Sequence, residues 1–213
     1  MNCKAIIFDF DGTLMDTEEA IFHALRRTLD EFGIPIPAGT PMRQLSCHRM
    51  EDVMSSLGVE DTQKKTTFLE AYHKAYRRAF SESAKPFHGV RHVLSRLKNR
   101  GIRMAVATNE IRANLDRFLP LTEMACFFET TICVDEVKQS KPHPEMALTV
   151  MKRMGVPAAN TMMVGDSFLD IQMGRAAKCR TCGISHGSHA RKELAAHAPD
   201  WLVDNLAAIE TII

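Results

Sequence analysis

The chain has 213 residues, 45% of them hydrophobic and 25% charged, with a formal net charge of +1. This fits a soluble globular protein with one core domain and a modest insert. The balance of 27 basic against 26 acidic residues argues against capture of nucleic acid or anionic membrane as the main activity, and no apolar run approaches the roughly 18 residues that span a bilayer.

Lys4-Ala5-Ile6-Ile7-Phe8 is a short apolar run ending at Asp9, the pattern of a buried parallel strand. Met1-Asn2-Cys3-Lys4 leads into it without a signal-peptide pattern, which predicts a cytoplasmic protein. From Met15 to about Lys85 the reading is helical, with no strand. Asp16 and Glu19 have capping-box spacing ahead of an apolar face of Ile21, Phe22, Leu25, Leu29 and Phe32. A loop follows through Pro35, Pro37, Gly39 and Pro41. A second helix is expected over Glu51–Leu57 and a third over Asp61–Ala79. Beyond residue 85 strands and helices alternate. Val90, Val93, Leu94 and Leu97 share one helical face closed by Gly101, and Met146, Ala147, Val150, Met151 and Met154 share another closed by Gly155. Strands are expected at Arg103–Ala107, Thr130–Val134, Thr161–Val164, Cys179–Ile184 and Trp201–Val203. The expected fold is α/β: a Rossmann-like parallel sheet with helices on both faces. Residues 1–14 and 86–213 form its core domain, and 15–85 form an inserted all-helical domain.

Cysteines stand at positions 3, 47, 126, 133, 179 and 182. Cys179-x-x-Cys182 has no second pair at zinc-ligand spacing, so both read as small apolar residues near a strand. Thirteen methionines read as a plastic core.

In an open parallel sheet, function gathers beyond the C-terminal ends of the strands. After the first strand stands Asp9-Phe10-Asp11-Gly12-Thr13, after the second Thr108-Asn109, and after the fourth Gly165-Asp166-Ser167-Phe168-Leu169-Asp170. Lys141-Pro142-His143-Pro144 precedes the Met146 helix. By composition this edge is a phosphate and metal site. Carboxylates hold a hard cation such as Mg²⁺, and the cation, a lysine and a hydroxyl hold phosphoryl oxygens. Asp9 and Asp11 can divide the labour of phosphate hydrolysis, one attacking phosphorus and the other serving as acid and base. Taken alone, the pair could equally be turn formers around Gly12.

Asp9-x-Asp11-Gly12-Thr13, Thr108-Asn109, Lys141-Pro142 and Gly165-Asp166-Ser167-x-x-Asp170 resemble, in order and separation, the four motifs of the haloacid dehalogenase-like hydrolases. The insert resembles the helical cap of the subfamily that holds phosphoglycolate phosphatases. The resemblance implies that Asp9 is the nucleophile, forming an aspartyl phosphate, and that Asp11 is the general acid and base. Thr108 would bind the phosphoryl group, with Gly12 and Asn109 beside it. Lys141 would neutralise that group and orient Asp9. Mg²⁺ would be held by Asp9, Asp166 and the main-chain carbonyl of Asp11, with Asp170 in support. Arg49, in Ser46-Cys47-His48-Arg49, lies where this subfamily places its specificity loop, and could grip a second anionic group of the substrate. Glu110 departs from the pattern, because many phosphoglycolate phosphatases carry Lys there.

The implied function is a Mg²⁺-dependent phosphatase of a small phosphorylated metabolite, with phosphoglycolate first among the substrates and sugar phosphates, nucleoside monophosphates and pyrophosphate open. A sugar phosphomutase of the β-phosphoglucomutase type would use the same aspartate pair, although those mutases usually carry Val where Thr13 stands. A dehalogenase would have no use for Asp11. A non-catalytic binding protein would be expected to have lost some of the acids.

Overall fold

The computed structural model describes residues 3–36 and 48–213. The chain divides into two compact units, one of Met1–Asp16 with Pro86–Ile213 and one of Thr17–Lys85.

The first unit is built on six parallel strands: β1 (Ala5–Phe8), β2 (Arg103–Ala107), β3 (Thr130–Ile132), β4 (Thr161–Gly165), β5 (Arg180–Ile184) and β6 (Trp201–Val203). Their order across the sheet is β3-β2-β1-β4-β5-β6. β1 is central, with Phe8 in register with Val106 on one side and Val164 on the other. All four of its residues are fully buried, which is why it reads as an unbroken apolar run. Side chains alternate between faces. Ala5 and Ile7 join Ala105, Ala107, Ile132, Met146, Ala147, Val150 and Met154 in one core cluster. The last four lie on a helix over Glu145–Met154, closed by Gly155 at φ 61°. Helices over Val90–Asn99, Arg112–Leu121, Phe168–Ala176 and Arg191–Ala195 complete the unit.

Several strand boundaries in this unit differ from the sequence expectation: β1 starts at Ala5 rather than Lys4, and β4 runs on to Gly165. The strand expected over Thr130–Val134 stops at Ile132, because Glu136 Oε2 accepts the Cys133 N–H at 2.8 Å and turns the chain into a 3-10 helix at Val134–Glu136. β5 begins at Arg180, one residue after Cys179. Cys179 and Cys182 are both free and buried.

The second unit contains helices α1 (Glu18–Glu31), α2 (Met50–Ser56) and α3 (Thr62–Ser83). Ile21, Leu25 and Leu29 of α1 and Phe68, Tyr72, Tyr76 and Phe80 of α3 are buried, and α1 packs along α3. Phe32 meets Phe68 edge to face at 5.3 Å. α3 outruns the expected Asp61–Ala79. The Asp61 side chain accepts the Lys64 N–H at its start, and no Gly or Pro interrupts it before Ala84. The capping box expected from Asp16 does not form: the N-cap of α1 is Thr17, which makes no side-chain cap bond. Met15–Asp16 and Lys85–Pro86 have strand geometry, where the sequence showed none. Among the described residues, no helix is long and apolar enough to cross a membrane.

Candidate active site

At the C-terminal end of β1, the Asp9 N–H bonds the Val164 carbonyl at 2.9 Å, and the chain then leaves the sheet. Leu14 and Met15 N–H groups both return to the Phe10 carbonyl at 3.0 Å, closing a tight loop. Gly12, at the bend, has φ 78°, and a Cβ there would stand 2.3 Å from Asp166 Oδ2. Only glycine fits both the backbone angle and the space.

The loop after β4 faces it. Thr13 Oγ1 donates to Asp166 Oδ1 at 2.7 Å and accepts the Asp166 N–H at 3.0 Å. The Ser188 N–H donates to Asp166 Oδ2 at 2.6 Å. Ser167 caps the helix over Phe168–Ala176 by accepting the Leu169 N–H, while Asp170 Oδ2 accepts the Ser167 N–H in return. Asp170 Oδ1 bonds Lys141 Nζ at 2.6 Å, and the same Nζ bonds Asp9 Oδ1 at 2.6 Å. Lys141 is brought there by a folded loop, in which Glu145 accepts the Lys138 and Gln139 N–H groups.

Asp9, Asp166 and Asp170 are buried and offer carboxylate oxygens within 4.8 Å of one another. Burial, opposed by Lys141, raises the Asp9 pKa to about 7. Burial and then the Asp9 charge raise Asp166 to about 6. Asp170 is raised by burial against the pull of Lys141. Burial works against the Lys141 charge, but Asp170 and Asp9 together hold that group above the ordinary lysine range. With all three acids ionised, the trio and one ammonium carry a net charge of two negatives, which is the complement of one divalent cation. The donors are all oxygens, as a hard cation requires. The residues therefore fit Mg²⁺.

The other expected residues fall as follows. Asp11 is half-buried at the same strand end, and its carboxylate lies outside the trio. Thr108 is buried beyond β2, the strand next to β1; its N–H bonds the Ile132 carbonyl, and its Oγ1 accepts the Glu110 N–H at 3.0 Å. Asn109 beside it is half-buried. Glu110 supports the local backbone, since its Oε1 accepts the Ile111 N–H at 2.7 Å and an Asn114 Nδ2–H at 2.9 Å. Arg49 belongs to the second unit, where it precedes α2 and lies 3.7 Å from Glu51. Ser46 and Cys47 of the expected specificity loop lie outside the described residues.

A family model for haloacid dehalogenase-like hydrolases matches residues 6–184. The chain belongs to the haloacid dehalogenase-like hydrolases. Pyrophosphatase PpaX of Bacillus velezensis is 28% identical over 211 residues, covering 95% of this chain and 93% of the relative. A phosphoglycolate phosphatase of Cupriavidus necator is 30% identical over 215 residues, covering 99% and 93%. A hydrolase of the haloacid dehalogenase-like family from Streptococcus pneumoniae superposes with a TM-score of 0.86 at 19% identity, covering 99% of this chain and 98% of its own, and shares the fold.

Within this haloacid dehalogenase-like hydrolase, sequence reasoning missed one contributor to the site, the segment His186-Gly187-Ser188. Its signal was position alone, since it follows the C-terminal end of β5.

Proposed function

We propose that this phosphoric monoester hydrolase is Mg²⁺-dependent and cleaves a small phosphorylated metabolite through an aspartyl phosphate on Asp9. The buried triad Asp9–Lys141–Asp170, with Asp166 beside it, is the observation that carries the reading.

An Asp9 carboxylate oxygen attacks phosphorus in line, the bond from phosphorus to the substrate oxygen breaks, and Asp11 gives that oxygen its proton. Water then attacks the aspartyl phosphate and Asp11 takes the water's proton. The bond from phosphorus to Asp9 breaks, releasing inorganic phosphate and restoring the carboxylate. Bound Mg²⁺ would supply charge neutralisation at the phosphoryl oxygens, held by Asp9, Asp166 and the Asp11 carbonyl. Lys141 keeps Asp9 in place and offsets its charge. Thr108 already accepts the Glu110 N–H, so its own hydroxyl proton serves a phosphoryl oxygen, with Gly12 and Asn109 beside it. Asp170 holds Lys141. Residues 1–14 and 86–213 serve as the catalytic core domain and 15–85 as the cap domain, with Arg49 as its candidate contact to a second anionic group.

The substrate panel is headed by phosphoglycolate, followed by pyrophosphate and sugar phosphates. The Cupriavidus and Bacillus relatives carry the first two of these in their names. The test is phosphate release from an aryl phosphate with Mg²⁺, with EDTA, and with Asp9→Asn. Release that needs Mg²⁺ and vanishes in Asp9→Asn is expected. Full release in EDTA or in the variant would overturn the reading.

A further inference from the structure

Three consecutive residues after β5 reach back to the loop that carries Gly12 and Thr13. The His186 ring stacks on Phe87, with centroids 3.8 Å apart and planes inclined by 14°. Its Nε2 lies 3.0 Å from the Thr13 carbonyl oxygen. A carbonyl can only accept, so that nitrogen carries the hydrogen. Gly187 packs where no side chain fits: a Cβ would stand 2.2 Å from the Gly12 carbonyl oxygen and 2.3 Å from Asp166 Oδ2. The Ser188 main-chain N–H then donates to Asp166 Oδ2 at 2.6 Å, while the Thr13 hydroxyl donates to Oδ1 at 2.7 Å.

Each oxygen of Asp166 thus receives a donor from the same clasp, and the Ser188 side chain is a further donor to this carboxylate. Thr13 is tied to His186 through its carbonyl, and Ser188 lies two residues further on. Donors on both oxygens fix the rotation of the carboxylate. An ionised carboxylate can accept about four such bonds, so acceptor capacity remains for a cation. Sub-ångström placement of ligand oxygens governs Mg²⁺ affinity, because this ion demands near-ideal octahedral geometry. Residues that orient a ligand by hydrogen bonding act on the metal through it.

We propose that His186-Gly187-Ser188 is a positioning element that locks the Asp166 carboxylate in its cation-binding orientation. The proposal rests on the Mg²⁺ reading above. Its test is calorimetric titration of the full-length protein with Mg²⁺, paired with thermal melting in EDTA. The variants are Gly187→Ala, His186→Ala and a control, Gly155→Ala. Gly155 also has a positive φ, of 61°, but nothing lies within 4 Å of its Cβ position. Gly187→Ala is expected to weaken Mg²⁺ binding about 10- to 100-fold. His186→Ala should weaken it in the same direction, and it carries the test if Gly187→Ala does not fold. Gly155→Ala should melt earlier with unchanged Mg²⁺ affinity. Wild-type affinity in both clasp variants overturns the proposal. So does equal weakening in Gly155→Ala, which would mark a general effect of lost stability. Absence of Mg²⁺ binding in the wild-type protein would overturn the metal reading itself.

Discussion

Replacing Lys141 with Met keeps an unbranched side chain, one atom shorter, and removes its charge. Lys141 Nζ bridges Asp9 and Asp170 at 2.6 Å each, and the three side chains are 3%, 11% and 1% exposed. Removing one partner of a buried ion pair costs about 3–5 kcal/mol, because the remaining charge stays desolvated. Here two carboxylates are left behind, and they can escape the penalty only by taking up protons. Asp9 already has its pKa raised to about 7 by burial while Lys141 pulls it down, so without Lys141 it rises further. In the variant the folded state then binds more protons than the unfolded state above the ordinary carboxylate range, and stability falls as pH rises. Each proton held only by the folded state steepens the loss by about 1.4 kcal/mol per pH unit. The Lys141 pKa is itself raised in the folded state, so its own contribution is fully present at and below neutral pH. The deletion should therefore cost about 3–5 kcal/mol near pH 8 and less near pH 5, where protons taken up by the acids replace part of what the ammonium contributed. Urea unfolding in EDTA at both pH values measures this directly. An equal loss at the two pH values, or less than about 1 kcal/mol at pH 8, would refute the argument that the triad stores buried charge.

Asp9→Asn should act in the opposite direction on stability. It removes one carboxylate that raises the Asp166 pKa, so in EDTA at pH 8 the variant should be about 0.5–2 kcal/mol more stable than wild type while inactive; a variant that is less stable by chemical denaturation would contradict the charge reading. Mg²⁺ affinity should fall on acidification from pH 8 to pH 5. Asp9 and Asp166, with pKa values raised to about 7 and about 6, must release protons before the cation binds, and a flat calorimetric profile across that range would oppose this. Gly165→Ala should cost at least about 3 kcal/mol and remove activity, because its Cβ would stand 2.2 Å from Asp170 Cγ inside a buried strand; near-wild-type melting and turnover would show that the loop yields.

The strand ends were legible because their chemistry is concentrated in side chains. Ala5–Phe8 is wholly apolar and then gives way to Asp9, and Thr108-Asn109 and Asp166 likewise follow largely apolar strands. The sequence pointed to Ser167-x-x-Asp170 as part of the site and not as a helix cap. The structure shows it to be both, since one Asp170 oxygen caps the helix and the other holds Lys141. The clasp at 186–188 was not legible, because its decisive donor is a main-chain N–H that any residue but proline supplies. The end of β3 was hidden for a related reason. Val134 suits a strand by propensity, and only the Glu136–Cys133 bond turns the chain away. The start of α1 at Thr17 shows a sequence signature, Asp16 with Glu19, that the local backbone leaves unused.

The central place of β1 carries a consequence for synthesis. Its sheet neighbours begin at Arg103 and Thr161, so Phe8 precedes the first residue of its nearer partner by 103 − 8 = 95 positions. At ribosomal rates of about 5–20 residues per second, that partner is made roughly 5–20 s later. Throughout that interval Ala-Ile-Ile-Phe is an apolar segment with both hydrogen-bonding edges open. The nascent chain must keep its most buried strand from other partners until the middle of the sheet can close around it. Slowed elongation between residues 8 and 103 would therefore reduce the yield of native enzyme without altering the stability of the molecules that do fold.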